Sequence, residues 1–169
     1  SDIPVNSQTP LYFVKSPIDT EAQVQMLSEV RQSSIGFRAF DHVETPRLSL
    51  SDARKHVGAS LAVVAHLIDP EREGARVSNA RGAFLAGMAA AMGKYVRLIQ
   101  EHELSHPIDY RDIVVNYHDS DRARRFLEKP LRNIIEALQT ERAKRVQLPL
   151  KLLERVDLGD VAAENEMKA

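Results

Sequence analysis

Cysteine is missing from the 169 residues, and so is tryptophan. The first absence excludes disulfides, thiolate metal sites and a cysteine nucleophile. The second, with only five Phe and four Tyr, leaves too few flat rings for a platform that stacks single-stranded bases. No apolar run approaches the roughly 18 residues that cross a bilayer. The opening SDIPVNSQTP has neither the basic nor the apolar part of a signal peptide, so the expectation is a cytoplasmic protein with no membrane partner. Charge imbalance is lacking too: 23 Lys and Arg stand interspersed with 24 Asp and Glu, which gives no direct nucleic-acid signal. There is neither a GxxxxGK run followed by Ser or Thr nor a GxGxxG, so the two commonest phosphate loops are excluded.

What is present is a repeated alternation of strand and helix patterns. Leu11 to Val14 is a short apolar run ending in Lys15-Ser16-Pro17, a first strand and turn. Asp19 to Gln32 carries Ala22, Met26, Leu27 and Val30 at helical spacing, with Asp19 or Thr20 as cap. Ile35 to Phe40 alternates and reads as a strand, and Ser49 or Ser51 can cap a helix running to Gly58. The most informative stretch is Leu61 to Gln100: a buried strand, LAVVAHLID, a polar loop, a helix Ser78–Lys94 full of Ala and Gly, and a second buried strand. Ile113 to Tyr117 is a further strand. Asp121 to Arg145 is a charged amphipathic helix that Pro130 must either kink or divide. Its many arginines are interspersed with acids, as on a solvated face.

Strands alternating with helices require parallel pairing and right-handed crossovers. The fold class is therefore α/β: a flavodoxin-like, Rossmann-like three-layer sandwich around a mainly parallel sheet of about five strands. Residues 1–147 form one domain of this kind. The tail 148–169, LPLKLLERVDLGDVAAENEMKA, has no place in that sheet and reads as a linker or C-terminal extension.

In such sheets ligands bind beyond the carboxyl ends of the strands, which directs attention to the loop after Leu67 and to the helix that follows. The small residues let this helix sit close to the sheet. Ser78 and Asn79 are strong capping types, and Arg76 and Arg81 flank them. A helix N-terminus beside two guanidinium groups favours a phosphate or carboxylate. His66, alone on a central strand, reads as a hydrogen-bonded core residue. His102-Glu103-Leu104-Ser105-His106 spells HExxH, but zinc chemistry needs both histidines on one helical face. Here the motif follows a strand, and Pro107 opposes helix at His106; a polar surface loop is the expectation, with no metal and no cofactor. Asp109-Tyr110-Arg111-Asp112 reads as a turn at the entry to the last strand.

The succession LYFVKSP, SLAVVAHLID and NARGAFLAGMAAAMGKYVRLIQ resembles the nucleoside 2-deoxyribosyltransferase superfamily and the related TIR-like domains. In that pattern Phe84 takes the hydrophobic position, Gly87 the glycine, Ala89 and Ala91 the small positions, and Gly93-Lys94 the end. The family's glutamate, which acts at the anomeric carbon of an N-glycoside, falls on Leu85. Leucine is neither nucleophile nor base, so the resemblance implies a fold without the usual catalysis. Its catalytic residues are unknown; a displaced carboxylate, Asp69 first and then Glu71 or Glu73, is the weak candidate. The tail segment LERVDLGDVAAENE is similar to the stretch ahead of the nucleotide-binding core in bacterial P-loop ATPases. That resemblance implies a module within a larger ATPase-linked protein, as in anti-phage defence systems.

These readings together lead to a sensing or assembly module for a nucleotide-like small molecule. Its anionic part is expected at Ser78, Asn79 and Arg81, and its base or ribose near Tyr12, Ser16 and Asp69. The alternative is an N-glycosidase, either a deoxyribosyltransferase or an NAD hydrolase, using the displaced acid. A third reading is an interaction domain that assembles as a homo-oligomer or with an ATPase partner chain.

Overall fold

The computed structural model describes residues 3–102 and 112–144. They fall in two compact units, one up to Ile135 and one from Glu136. In the second unit residues 136–144 are helical, with Thr140 Oγ1 donating to Glu136 O at 2.9 Å. The expected tail 148–169 lies outside the described residues.

The first unit is built on five strands: β1 (Leu11–Val14), β2 (Phe37–Phe40), β3 (Ala62–Leu67), β4 (Tyr95–Glu101) and β5 (Val114–Tyr117). They form one sheet in the order β2-β1-β3-β4-β5, and every pairing is parallel. Helices α1 (Glu21–Gln32), α2 (Leu50–Gly58), α3 (Ala75–Ala91) and α4 (Ser120–Arg125) complete it. Helix α1 packs with α4, and α2 with α3, so the sheet is covered on both faces. This is the flavodoxin-like three-layer α/β fold.

Coverage on both faces explains the unbroken apolar runs. All six residues of β3 are buried, as expected for a central parallel strand. Side chains alternate between faces. Tyr12, Val14, Val63, Ala65 and Leu67 point to the α2/α3 side, where they meet Val57, Leu85, Ala86 and Ala89. Gly82 brings α3 down onto β3: a Cβ there would stand 2.9 Å from a methyl of Leu67. At the other end of this layer Lys94 donates to Gly58 O at 2.8 Å, placing a cation on the C-terminal carbonyls of α2.

Three helix starts follow the expected capping chemistry. Thr20, Ser49 and Asp119 accept from the N–H groups of Gln23, Asp52 and Arg122. The expected long helix 121–145 is divided: α4 ends in a turn at 126–127 and helix resumes at 128. Pro130 therefore sits in a first turn, where its missing N–H costs nothing. The start of α3 differs from expectation. It begins at Ala75, three residues before Ser78, with Gly74 at φ 72° as its N-cap and no side-chain cap.

Candidate functional site

The sheet order reverses between β1 and β3, so the crevice of this fold opens where the loops after those two strands diverge. Here the crevice is filled by polar side chains. Gln23 of α1 is completely buried and its Oε1 accepts from Ser16 N at 2.5 Å and Ser16 Oγ at 2.9 Å. His66 Nδ1 lies 3.3 Å from the same oxygen, and His66 Nε2 lies 2.7 Å from Tyr117 Oη. Since Gln23 Oε1 can only accept, His66 carries its proton on Nδ1 and Tyr117 donates to Nε2. Burial pushes the His66 pKa down to about 4, against smaller opposing effects of Glu101 and Arg72, so the ring is neutral at pH 7. Burial likewise raises Tyr117, whose hydroxyl also meets Thr20. His66 is thus the hydrogen-bonded core residue that its place on a central strand suggested.

One step toward β5, Glu101 ends β4 nearly buried and accepts from Arg72 Nε at 2.8 Å and Nη2 at 2.5 Å. It also accepts from Asp69 N at 3.0 Å. Burial raises the Glu101 pKa, but the Arg72 fork, the Asp69 N–H and the guanidinium charge bring it net below the ordinary carboxylate range. This bidentate clamp ties the β3–α3 loop to the end of β4. Asp69 itself makes an Asx turn, its Oδ1 accepting from Glu71 N at 2.9 Å.

The residues expected to hold an anion divide in two. Ser78 is buried in the second turn of α3, with Oγ donating to Ala75 O at 3.1 Å. Asn79 reaches back to the end of β3: Oδ1 accepts from Ile68 N at 3.1 Å and Nδ2 donates to Ile68 O at 2.7 Å. Both serve the backbone, which corrects their reading as helix caps. Asn79→Ala leaves the Ile68 N–H and C=O without these partners and should lower stability by about 1–3 kcal/mol, read from urea unfolding. Tyr12 lies 1% exposed on the α2/α3 face, its ring 5.9 Å from that of His56. Burial raises its pKa to about 12, with smaller effects of the Arg38 charge, which lowers it, and the Asp52 charge, which raises it. Tyr12 and Ser16 are therefore both buried, Tyr12 beside His56 and Ser16 on Gln23.

Open space lies outside the crevice, along the outer face of α3. A groove of about 820 Å³ is lined by Pro46, Arg47 and Leu48 on one side and by Arg76, Val77, Ala80, Arg81 and Phe84 of α3 on the other. A second cavity of about 420 Å³ adjoins it around Pro70, Glu71, Arg72 and Gly74, sharing Arg76 and Val77. Arg81 is positioned rather than free, with Nη2 donating to Pro46 O at 2.6 Å and Nη1 lying 3.3 Å from His42 Nδ1. His42 Nε2 is 2.8 Å from Lys15 O. That carbonyl can only accept, so Nδ1 of His42 is the bare nitrogen facing Arg81. Burial lowers the His42 pKa; the Lys15 carbonyl opposes this and the Arg81 charge adds to it. An ion pair from Lys15 to Asp41 at 2.7 Å fixes the ends of β1 and β2 beneath this loop. It raises Lys15 and lowers Asp41.

Leu85 does not line this groove. It is 0% exposed, packed against the sheet with Ala86 and Ala89, so the expected aliphatic replacement of a pocket acid is corrected to a core residue. Phe84 and Arg81 are the residues at that level that face outward. Sequence reasoning reached Arg76 and Arg81 but missed Arg47, Leu48, Val77 and Phe84. The available signal was the recurrence of large residues at Val77, Arg81, Phe84 and Met88 on a helix rich in Ala and Gly.

His102 follows β4 at φ 60°, so no helix starts there as a zinc-protease motif would require. Glu103, His106 and the Asp109–Arg111 turn lie outside the described residues. A scan against protein-family models finds no match to this sequence, and a search of curated proteins finds none either.

Proposed function

We propose that this chain is a sensing module that binds a nucleotide-type anion in the groove along α3 without turning it over. The observation that carries this reading is the pairing of chemistries in one groove. Arg47, Arg76 and Arg81 supply three guanidinium groups, while Leu48, Val77, Ala80 and Phe84 supply an apolar wall. Guanidinium groups suit phosphate oxygens, and Phe84, 49% exposed, offers a face for a base. The first turn of α3 strengthens the anion end. It has no side-chain cap and no acidic residue; Ala75 N–H already donates to Arg72 O at 3.1 Å, so the Arg76 and Val77 N–H groups are the ones a ligand would meet. Arg76 is only loosely held, in an exposed 3.4 Å pair with Glu71 that contributes little.

The absence of turnover rests on the lining. None of the eight residues around the larger groove is an acid, a histidine or a hydroxyl. The resemblance to deoxyribosyltransferase and TIR-like domains, and a place beside an ATPase region in a defence system, belong to the same proposal. They are supported by the sequence patterns of residues 11–100 and of the tail.

A thermal-shift screen of ATP, ADP, AMP and NAD, with base release measured on the same samples, tests it. A nucleotide at a hundred times its Kd should add about 2.7 kcal/mol to stability. Arg81→Ala should weaken binding tenfold or more, which at the same concentration cuts that gain to about 1.4 kcal/mol or less, and no free base should appear. Release of base or nicotinamide, abolished by Asp69→Asn, would establish the N-glycosidase reading instead. No response to any nucleotide, with a mass that grows with concentration, would leave an interaction domain.

A further inference from the structure

We propose that His102 and His118 form a site for a divalent transition-metal ion of the Zn2+ class, held by their two Nδ1 atoms at the C-terminal edge of the sheet. Strand register brings them together. Strands β4 and β5 pair with Glu101 opposite Tyr117, and the residue that follows each strand is a histidine. Their Nδ1 atoms are 3.4 Å apart and their ring planes differ by 34°. Two nitrogens bound to one tetrahedral zinc at about 2.0–2.1 Å must lie about 3.3–3.4 Å from each other. The rings already stand at that spacing.

The backbone beneath them is braced. His102 holds φ 60°, a region that non-glycine residues seldom enter. It is secured on both sides: the His102 N–H donates to Tyr117 O at 3.0 Å, and Gln100 Nε2 donates to His102 O at 3.1 Å. Both histidines are exposed, so an ion can reach them. Imidazole donors without a hard carboxylate set select Zn2+, Ni2+ or Cu2+ over Mg2+ and Ca2+. Among the described residues no group of three or more His, Cys, Asp or Glu is placed to share a metal. The described residues therefore contribute two donors, which leaves further positions on the ion for water or an added anionic ligand. This site is separate from the groove on α3, and either can fail without the other.

Calorimetric titration of ZnCl2 into the full chain tests the inference, with CoCl2 as a spectroscopic probe of coordination. The expected result is one saturable site per chain and a cobalt d–d band. Both His118→Ala and His102→Asn should weaken the affinity tenfold or more. Asparagine is chosen at 102 because it tolerates the same backbone, and His56→Ala should change nothing. Metal-free melting of the variants should match the parent, which separates lost binding from lost folding. No saturable binding, or binding that survives either substitution, overturns the proposal.

Discussion

Leu85→Glu is expected to abolish cooperative folding, a loss of about 5 kcal/mol or more, whereas Phe84→Glu should cost about 1 kcal/mol or less. The two positions are neighbours in sequence but opposite in environment. Leu85 is 0% exposed and Phe84 49%. Leu85 shares the sheet-facing stripe of α3 with Gly82, Ala86 and Ala89, beneath which lie Val63, Ala65 and Leu98. Removing a buried leucine side chain alone costs roughly 2–5 kcal/mol. Leaving an unpaired carboxylate among apolar side chains adds several more, or forces it to take up a proton. A domain of this size holds only about 5–15 kcal/mol in total. An acid placed at position 85 would therefore unfold this protein. Urea unfolding of both variants checks the helix register, and equal stability of the two would refute it.

Acid should destabilise the fold well before its surface carboxylates dominate. His66 has a folded pKa of about 4 against an ordinary 6.5, so between these values the unfolded chain binds a proton that the native state refuses. Stability conferred by a neutral buried histidine is fully present above about pH 6.5 and is lost as pH falls toward 4. A shift of this size corresponds to about 3 kcal/mol. Denaturant midpoints should fall steadily from pH 7 to pH 4.5. His66→Leu should be less stable than the parent at pH 7, because Gln23 and Tyr117 each lose a partner. Its midpoint should depend less steeply on pH across this window. A parent and a variant with parallel pH profiles would mean that His66 is solvated rather than sealed between α1 and β5.

The fold was legible because β1 and β3 are buried on both faces and so read as apolar runs, and because Thr20 and Ser49 stand at helix starts where their chemistry belongs. The start of α3 was not, since Ser78 and Asn79 look like caps while the actual N-cap is a glycine. Gly74 takes φ 72° and lets the loop approach Pro17, whose Cβ would stand 3.3 Å from a Cβ at that position. That contact, with the Ser16, Gln23 and His66 bonds, closes the crevice where the sequence pointed. Nothing in a single sequence distinguishes polar residues that line a crevice from polar residues that fill it. Tyr12 shows the same limit: its alternation places it on one face of the sheet, but not at which end a pocket opens. Arg47 and Leu48 come from a loop without periodicity, and only the packing of that loop beside α3 gives them a role.

The central claim is the location of the ligand, and amide chemical-shift mapping with an added nucleotide measures it most directly. Saturating ATP in a uniformly 15N-labelled sample should move the amides of Arg47, Leu48, Arg76, Val77 and Phe84, and leave those of Ser16, Ile68 and Asp69 near their starting positions. Shifts centred on Ser16 and Asp69, or none at any concentration, would contradict the account.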